Sequence, residues 1–277
     1  MEEFEMTQWK IACSSADDAP MTAPILLRGD ICENLKSAAD LGYDAIEIHT
    51  RETAALDYES IRKTLADTGT QIAAVVTGRL FTEGQTSLTD DKPYVTDAAI
   101  KAFKQYIDIA AELKTDIIIG WAKGNVPAGV PRQRYLDRLA KNLRIIADYG
   151  INKNVKLHLE VINRYEVNIF TTCQETLEFI EKYNLENCFI HLDTFHMNID
   201  ETDPYEAIRL AGKKLGYVHL ADNSRRYPGS GQLNFRKTLE ALQEADYKGY
   251  LSVECFPYPN GKEAAAKAIQ YLNSLEI

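Results

Sequence analysis

Four residues in the second half of the chain have the side chains and the spacing of a metal site. Glu160 (VKLHLEVINRYE), Asp193 (FIHLDTFHMN), His219 (YVHLADN) and Glu254 (LSVECFP) each sit at the end of a short apolar run. They lie 33, 26 and 35 residues apart, each interval about the length of one strand and its returning helix. One such residue is ordinarily just the start of a solvated loop. Four in four consecutive units point to a shared site. Three carboxylates and an imidazole, with no thiolate, suit Mn²⁺, Mg²⁺ or Co²⁺ and admit Zn²⁺. Without a cation the converging carboxylates would repel one another and raise each other's pKa. A divalent ion relieves that repulsion and leaves coordination positions for substrate oxygens.

The order of the four also suggests a reaction. If they come from consecutive strands of a ring, Glu160 and Glu254 stand at opposite ends of the ligand arc. A sugar chelated between them would have a carboxylate on each face. That arrangement serves two-base proton exchange beside a carbonyl: one Glu removes the α-proton, the metal stabilises the enediolate, and the other Glu protonates the opposite face. A single carboxylate moving the proton between adjacent carbons would instead interconvert aldose and ketose.

The elements that must position these groups read as eight short strands: Trp9–Cys13, Ala45–His49, Gln71–Thr77, Asp116–Gly120, Val155–Val161, Cys188–Leu192, Gly216–Leu220 and Tyr250–Cys255. Between them run helical periodicities, such as Ile100, Phe103, Ile107 and Ala111, then Leu136, Leu139, Leu143 and Ile146. Gly42, Gly69, Gly150 and Gly249 mark links where a helix should stop before the next strand. Strand–helix alternation of this length predicts an α/β fold, a single (β/α)₈ barrel. An open doubly wound sheet would show a Gly-rich first turn, but the turn reads Cys13 to Pro20 with no G-x-G-x-x-G. The stretches 78–93 and 120–132 follow the third and fourth strands and should lie over the barrel mouth.

Composition narrows the partners. The chain has 277 residues, 41 acids against 31 bases, a formal charge of −10, 45% hydrophobic and 26% charged residues. Those proportions exclude a disordered or fibrous chain, and the acidic balance argues against nucleic acid as a partner. Five scattered cysteines without a C-x-x-C pair fit reduced thiols in a cytoplasmic protein. The acidic MEEFEMTQWK start has no apolar signal region, and no run approaches the ~20 residues of a membrane span.

The segments LEVINRYE, LDTFHMNIDE, HLADNSRRYPGSGQLNF and VECFP resemble the xylose-isomerase-like TIM barrel superfamily of sugar isomerases and epimerases. Within it they are most similar to the ketose 3-epimerases (D-tagatose and D-psicose 3-epimerases) and their keto-sugar-acid relatives. The similarity runs through the whole chain and is densest from the fifth strand onward. TGRLFTEGQTSLTD further resembles 5-keto-L-gluconate epimerase. The resemblance implies one barrel domain over residues 1–277. It implies one divalent metal, Mn²⁺ by preference, on Glu160, Asp193, His219 and Glu254, with Glu160 and Glu254 as the acid/base pair. It also implies that Glu166, His196 and Arg225 hold substrate oxygens. Glu166 is the second acid of E-x-x-N-R-[FY]-E, His196 follows D-x-x, and Arg225 follows the H-x-A-D segment. The partner it implies is a small sugar or sugar acid, and relatives often form dimers or tetramers, so a homo-oligomer fits.

Several residues have a plainer reading. His158 and His191 precede Glu160 and Asp193 by two and should be hydrogen-bonded barrel-core histidines one layer deeper. Glu47 and His49 share a face that reaches either the mouth or solvent. Trp121 either walls the pocket or packs in the core. Cys255 points away from Glu254 and packs. Gly229 and Gly231, with Arg225, Arg226 and Ser230, lie where barrels often bind phosphate, and read first as turn residues. Neutral ketose, keto-acid and sugar phosphate all stay open. The competing functions are an aldose–ketose or hydroxypyruvate-type isomerase, an apurinic endonuclease-like hydrolase and a noncatalytic sugar-binding barrel. An endonuclease would need a basic groove and more histidines around the mouth, whereas this chain has five in all, two of them expected deep in the barrel.

Overall fold

The computed structural model describes residues 9–275. The amino-terminal segment 1–8, read above as free of a signal, lies outside the described residues. Eight parallel strands, β1 (Lys10–Ala16), β2 (Ala45–His49), β3 (Gln71–Val76), β4 (Asp116–Ile119), β5 (Leu157–Glu160), β6 (Cys188–Asp193), β7 (Leu215–Leu220) and β8 (Tyr250–Val253), pair in chain order. The sheet closes where β8 returns to β1, with Lys10 opposite Tyr250 and Cys13 opposite Val253. A two-residue strand, Leu27–Arg28, adds to β1 from outside. Among the described residues eight longer helices follow the strands, α1 (Ile31–Leu41), α2 (Tyr58–Thr68), α3 (Pro93–Leu113), α4 (Arg132–Lys153), α5 (Cys173–Lys182), α6 (Pro204–Ala211), α7 (Phe235–Glu244) and α8 (Gly261–Asn273), with two short ones, Arg79–Thr82 and Thr194–Asp200, beside them. The fold is a single (β/α)₈ TIM barrel. No helix among the described residues is long and apolar enough to cross a membrane.

Local chemistry explains most boundaries. Asp30, Asp57, Thr172, Asp203, Asn234 and Asn260 cap α1, α2, α5, α6, α7 and α8 by accepting first-turn N–H bonds. Gly42 and Gly69 end α1 and α2 in left-handed geometry. Gly150 does not stop α4, as its position suggested. It lies buried within the helix, which continues to Lys153 and ends at Asn154. The first strand also runs past Cys13 to Ala16, through two serines that read as turn. Both are buried: Ser15 Oγ donates to the Glu47 carbonyl at 2.8 Å, and Ser14 Oγ donates to the Pro24 carbonyl at 3.0 Å.

Most apolar burial lies between barrel and helices, around Phe103, Tyr106, Ile107, Leu139, Leu143 and Ile146. Inside the barrel, small residues of β1–β3 (Ala12, Ala45, Ala74) share a cluster with Tyr217 from β7. They leave room for large polar rings from β5 to β7. His158 is a core histidine with a partner, its Nε2 3.3 Å from Asp116 Oδ2. His191 departs from expectation: neither ring nitrogen has a hydrogen-bond partner among the described residues. It is held by edge-on packing against His219 and Tyr217, with ring centroids 4.1 and 5.3 Å away. Burial, first, and then the His219 charge keep it neutral. All five cysteines are free, and Cys255 is buried in the apolar core.

The barrel floor is filled to contact. Gly216 lies where the register between β6 and β7 shifts, and a Cβ there would stand 2.3 Å from His158 Nδ1 and 2.6 Å from Phe189 Cβ. Gly216→Ala should therefore lower stability by about 1–3 kcal/mol, read as a lower urea midpoint with an unchanged slope.

Candidate active site

The carboxyl ends of β5 to β8 bring Glu160, Asp193, His219 and Glu254 together, with one donor atom from each inside a 4.8 Å cluster. All four are buried. His219 Nδ1 lies 3.9 Å from Glu160 Oε1, 4.0 Å from Asp193 Oδ2 and 3.7 Å from Glu254 Oε2. Two donors on opposite sides of an ion at ~2.1 Å are ~4.2 Å apart, so these separations suit one cation at their centre.

The hydrogen bonds say which atoms are reserved for it. Asp193 Oδ1 accepts from the Phe195 N–H at 2.8 Å and caps the short helix Thr194–Asp200, while its Oδ2 has no partner. His219 Nε2 lies 2.9 Å from Glu47 Oε2. A carboxylate there keeps the ring proton on Nε2 and turns Nδ1 inward, where it lacks a partner and, once its proton is lost to an incoming cation, offers its lone pair. Two buried, unpartnered acceptors aimed at one point fit a bound cation. Glu47 is wholly buried and additionally accepts from the Tyr217 hydroxyl at 3.1 Å. Sequence reading left Glu47 between mouth and solvent; its role depends on a contact 172 residues away.

The three residues expected to hold substrate oxygens stand around this cluster. His196 Nε2 is 3.9 Å from Glu160 Oε1 and 3.7 Å from Asp193 Oδ2. Its Nδ1 is 2.7 Å from Asn163 Nδ2. Asn163 Oδ1 accepts from the Tyr165 N–H at 3.0 Å, which orients the amide so that its NH₂ donates to His196. Burial, first, and the nearby Arg225 charge hold His196 neutral, so its Nε2–H faces the cavity. Glu166 accepts from Asn163 at 2.9 Å and from the Trp121 indole at 3.1 Å. Trp121 therefore belongs to the pocket wall. Arg225, in left-handed backbone geometry, donates from Nη2 to Glu254 Oε2 at 3.0 Å and lies 3.6 Å from Glu166.

Sequence reading missed two supports. Lys123 is wholly buried, with Nζ 3.0 Å from the Glu160 carbonyl and 3.3 Å from the Gly120 carbonyl. Burial lowers its pKa to about 8 against the pull of Glu160. A lysine in a loop ordinarily reads as solvated, and nothing in its neighbours signals otherwise. Gly120 ends β4, and a Cβ there would approach Glu160 Oε2 to 2.5 Å. Only glycine leaves space for that carboxylate.

The loop after β7 holds an anion of its own. Asp222 Oδ2 accepts from the Gly229 and Gly231 N–H groups at 3.1 and 2.8 Å, and Oδ1 from those of Asn223 and Leu233 at 2.9 and 3.1 Å. Gly229 and Gly231 thus form a cradle, and its occupant is a side chain.

Around the ligand cluster lies a cavity of about 390 Å³, lined by His49, Arg79, Trp121, Glu166, His196 and Phe256 among others. Without a cation, burial and the adjoining Glu254 charge push Glu160 up to about 8, and burial pushes Asp193 up to about 6. Burial opposes the charged form of His219, but Glu47 and Glu254 prevail and raise it to about 10.

Comparison with known proteins agrees with this architecture. The chain matches the family described as xylose isomerase-like TIM barrel over residues 35–275. It is 32% identical over 225 residues to an L-ribulose 3-epimerase of Methylomonas sp. (strain DH-1), covering 80% of this chain and 77% of that one. It is 29% identical over 234 residues to a D-psicose 3-epimerase of Agrobacterium fabrum, covering 82% and 80%. A solved structure of an L-ribulose 3-epimerase superposes with a TM-score of 0.82 at 25% identity, over 96% of this chain and 94% of that one.

Two outcomes follow from the ligand geometry. Mn²⁺ added to the metal-free chain at pH 7 should raise the unfolding temperature and release roughly one to two protons, because Glu160 and His219 titrate at about 8 and about 10 without it. Calorimetry in buffers of different ionisation enthalpy reads that number, which should shrink once the pH passes about 8. Glu47→Gln should weaken Mn²⁺ binding by about 10- to 100-fold, measured by direct titration.

Proposed function

The chain belongs to the xylose isomerase-like TIM barrel family, and from that premise we propose that it is a divalent-metal-dependent ketose 3-epimerase. The observation that carries this reading is the gathering of donor atoms from Glu160, Asp193, His219 and Glu254 within 4.8 Å, with the two glutamates contributed from the first and last of the four strands. The relatives named as ketose 3-epimerases support it. Five unpaired cysteines support a reducing, cytoplasmic setting.

A divalent cation held by Glu160, Asp193, His219 and Glu254, with Mn²⁺ the first choice, supplies Lewis-acid polarisation of the ketose carbonyl and offsets the charge of the enediolate. The remaining work falls to side chains. One glutamate takes the C3 hydrogen as a proton; the C–H electron pair becomes the second C2–C3 bond, and the carbonyl oxygen takes the negative charge. The other glutamate, protonated, returns a proton to the opposite face of C3 as the C2 carbonyl reforms. His196 donates its Nε2–H to a substrate oxygen. Glu166, clamped by Asn163 and Trp121, accepts from a hydroxyl. Arg225 holds Glu254 in place and offers its remaining donors to the sugar.

The surroundings favour an uncharged ketose. The loop N–H groups that could cradle a phosphate already hold Asp222. At the other end of the cavity, Arg79 pairs with Asp18 and Glu83, each at 2.9 Å, and Arg51 pairs with Asp17 at 3.0 Å and Glu83 at 2.8 Å. Two guanidiniums there face three carboxylates, which leaves no positive charge in excess for an acid substrate. Bases on two faces also favour inversion over aldose–ketose isomerisation, which needs only one.

The test is a panel of free ketoses, hexulosonates and ketose phosphates with Mn²⁺ in D₂O, followed by NMR. The expected result is deuterium at C3 with inversion, fastest on a free ketose. Deuterium at C1 with aldose formation, or a preference for the charged sugars, would overturn it. Glu160→Gln and Glu254→Gln should each lower kcat by at least about 100-fold while leaving the circular dichroism spectrum unchanged.

A further inference from the structure

His49 ends β2, lines the cavity and has no part in the scheme above. Its Nε2 lies 3.2 Å from Glu47 Oε1 and 3.7 Å from Glu254 Oε1. Both neighbours are carboxylate oxygens, so Nε2 must carry the ring proton and present it between them. The backbone there is pinned, since the His49 carbonyl accepts from Arg79 Nε at 3.0 Å, and the side chain is only 14% exposed. Glu47 in turn takes the His219 ring proton on its other oxygen, so the imidazole beside Glu254 and the imidazole in the ligand cluster share one buried carboxylate.

The Glu160 side is built differently. The nearest imidazole, His196 on the short helix Thr194–Asp200, has its Nε2 3.9 Å from Glu160 and 3.7 Å from Asp193, and Asn163 orients that ring through its other nitrogen. Glu254 differs in having a second donor, Arg225 Nη2, on its other oxygen at 3.0 Å. Arg225 thus bonds one oxygen of the Glu254 carboxylate, and the His49 ring nitrogen faces the other at 3.7 Å.

We infer that His49 is a positioning residue for Glu254, holding that carboxylate in the orientation needed to exchange a proton with one face of the substrate. The inference rests on the two-glutamate reading above and adds an asymmetry to it. Loss of His49 disables the Glu254 half of the exchange and leaves the Glu160 half intact. The epimer whose proton Glu160 removes can still lose it, and can regain a deuteron on the same face once that carboxyl has exchanged with solvent. The other epimer can do neither.

The experiment compares Mn²⁺-loaded wild type, His49→Ala and His49→Gln on both members of the epimer pair that wild type interconverts, in D₂O. Inversion and exchange without inversion are measured separately, with Mn²⁺ affinity alongside. In His49→Ala, kcat for inversion should fall about 10- to 100-fold with KM changed less than about threefold. One epimer should continue to exchange at C3 without inverting, and the other should stop. Mn²⁺ affinity should hold within about threefold, and His49→Gln, which keeps a donor at the Nε2 position, should recover most of the inversion rate. Unchanged inversion in His49→Ala, equal loss of exchange from both epimers, or loss of Mn²⁺ without rescue by Gln would overturn the assignment. A wild-type enzyme that exchanges no C3 proton on any ketose would overturn the epimerase reading itself, and the role of His49 with it.

Discussion

Three carboxylates buried around one imidazole are the constraint from which the rest of the site follows. Buried acids in mutual contact resist ionisation, and the upward displacement of Glu160 and Asp193 records that resistance. The surrounding residues all act to make a charged cluster tolerable. Lys123 is drawn into the interior beneath Glu160. Arg225 leaves the surface to reach Glu254. Glu47 is buried to fix the face that His219 presents. Residues removed from water at such cost are ones whose geometry the cluster cannot do without.

The barrel itself was readable from the sequence because its signals are local. Apolar runs of strand length alternate with helical periods, and Gly42 and Gly69 mark where two helices end. The convergence of the four candidate residues was readable for the same reason: each member sits at a strand end, and strands in a barrel of this kind end at one face. Glu47 and Lys123 were not readable, since their partners lie 172 and 37 residues away. A pairing of that range leaves no trace in the neighbouring residues. Ser14 and Ser15 were misjudged because a polar pair usually closes a strand, whereas here their hydroxyls bond to the carbonyls of Pro24 and Glu47.

The two halves of the barrel divide the work unequally. β5 to β8 carry the ligand cluster on short, buried strand ends. β1 to β3 supply small core residues and, at the mouth, exposed ion pairs between Arg51, Arg79, Asp17, Asp18 and Glu83. Such pairs in water contribute little individually and weaken with salt. Glu47 and His49, on β2, reach across the barrel to His219 and Glu254.

Asp222 gives the loop after β7 an unusual thermodynamic history. In a barrel that captures phosphate there, the ligand organises the loop, and part of the binding free energy is spent on that ordering. Here the organising anion is delivered by the chain as it folds, so the loop reaches its final shape before any sugar arrives. Arg225, which emerges from that same turn, is consequently aimed in advance, between a loop already ordered on one side and a salt-sensitive rim on the other.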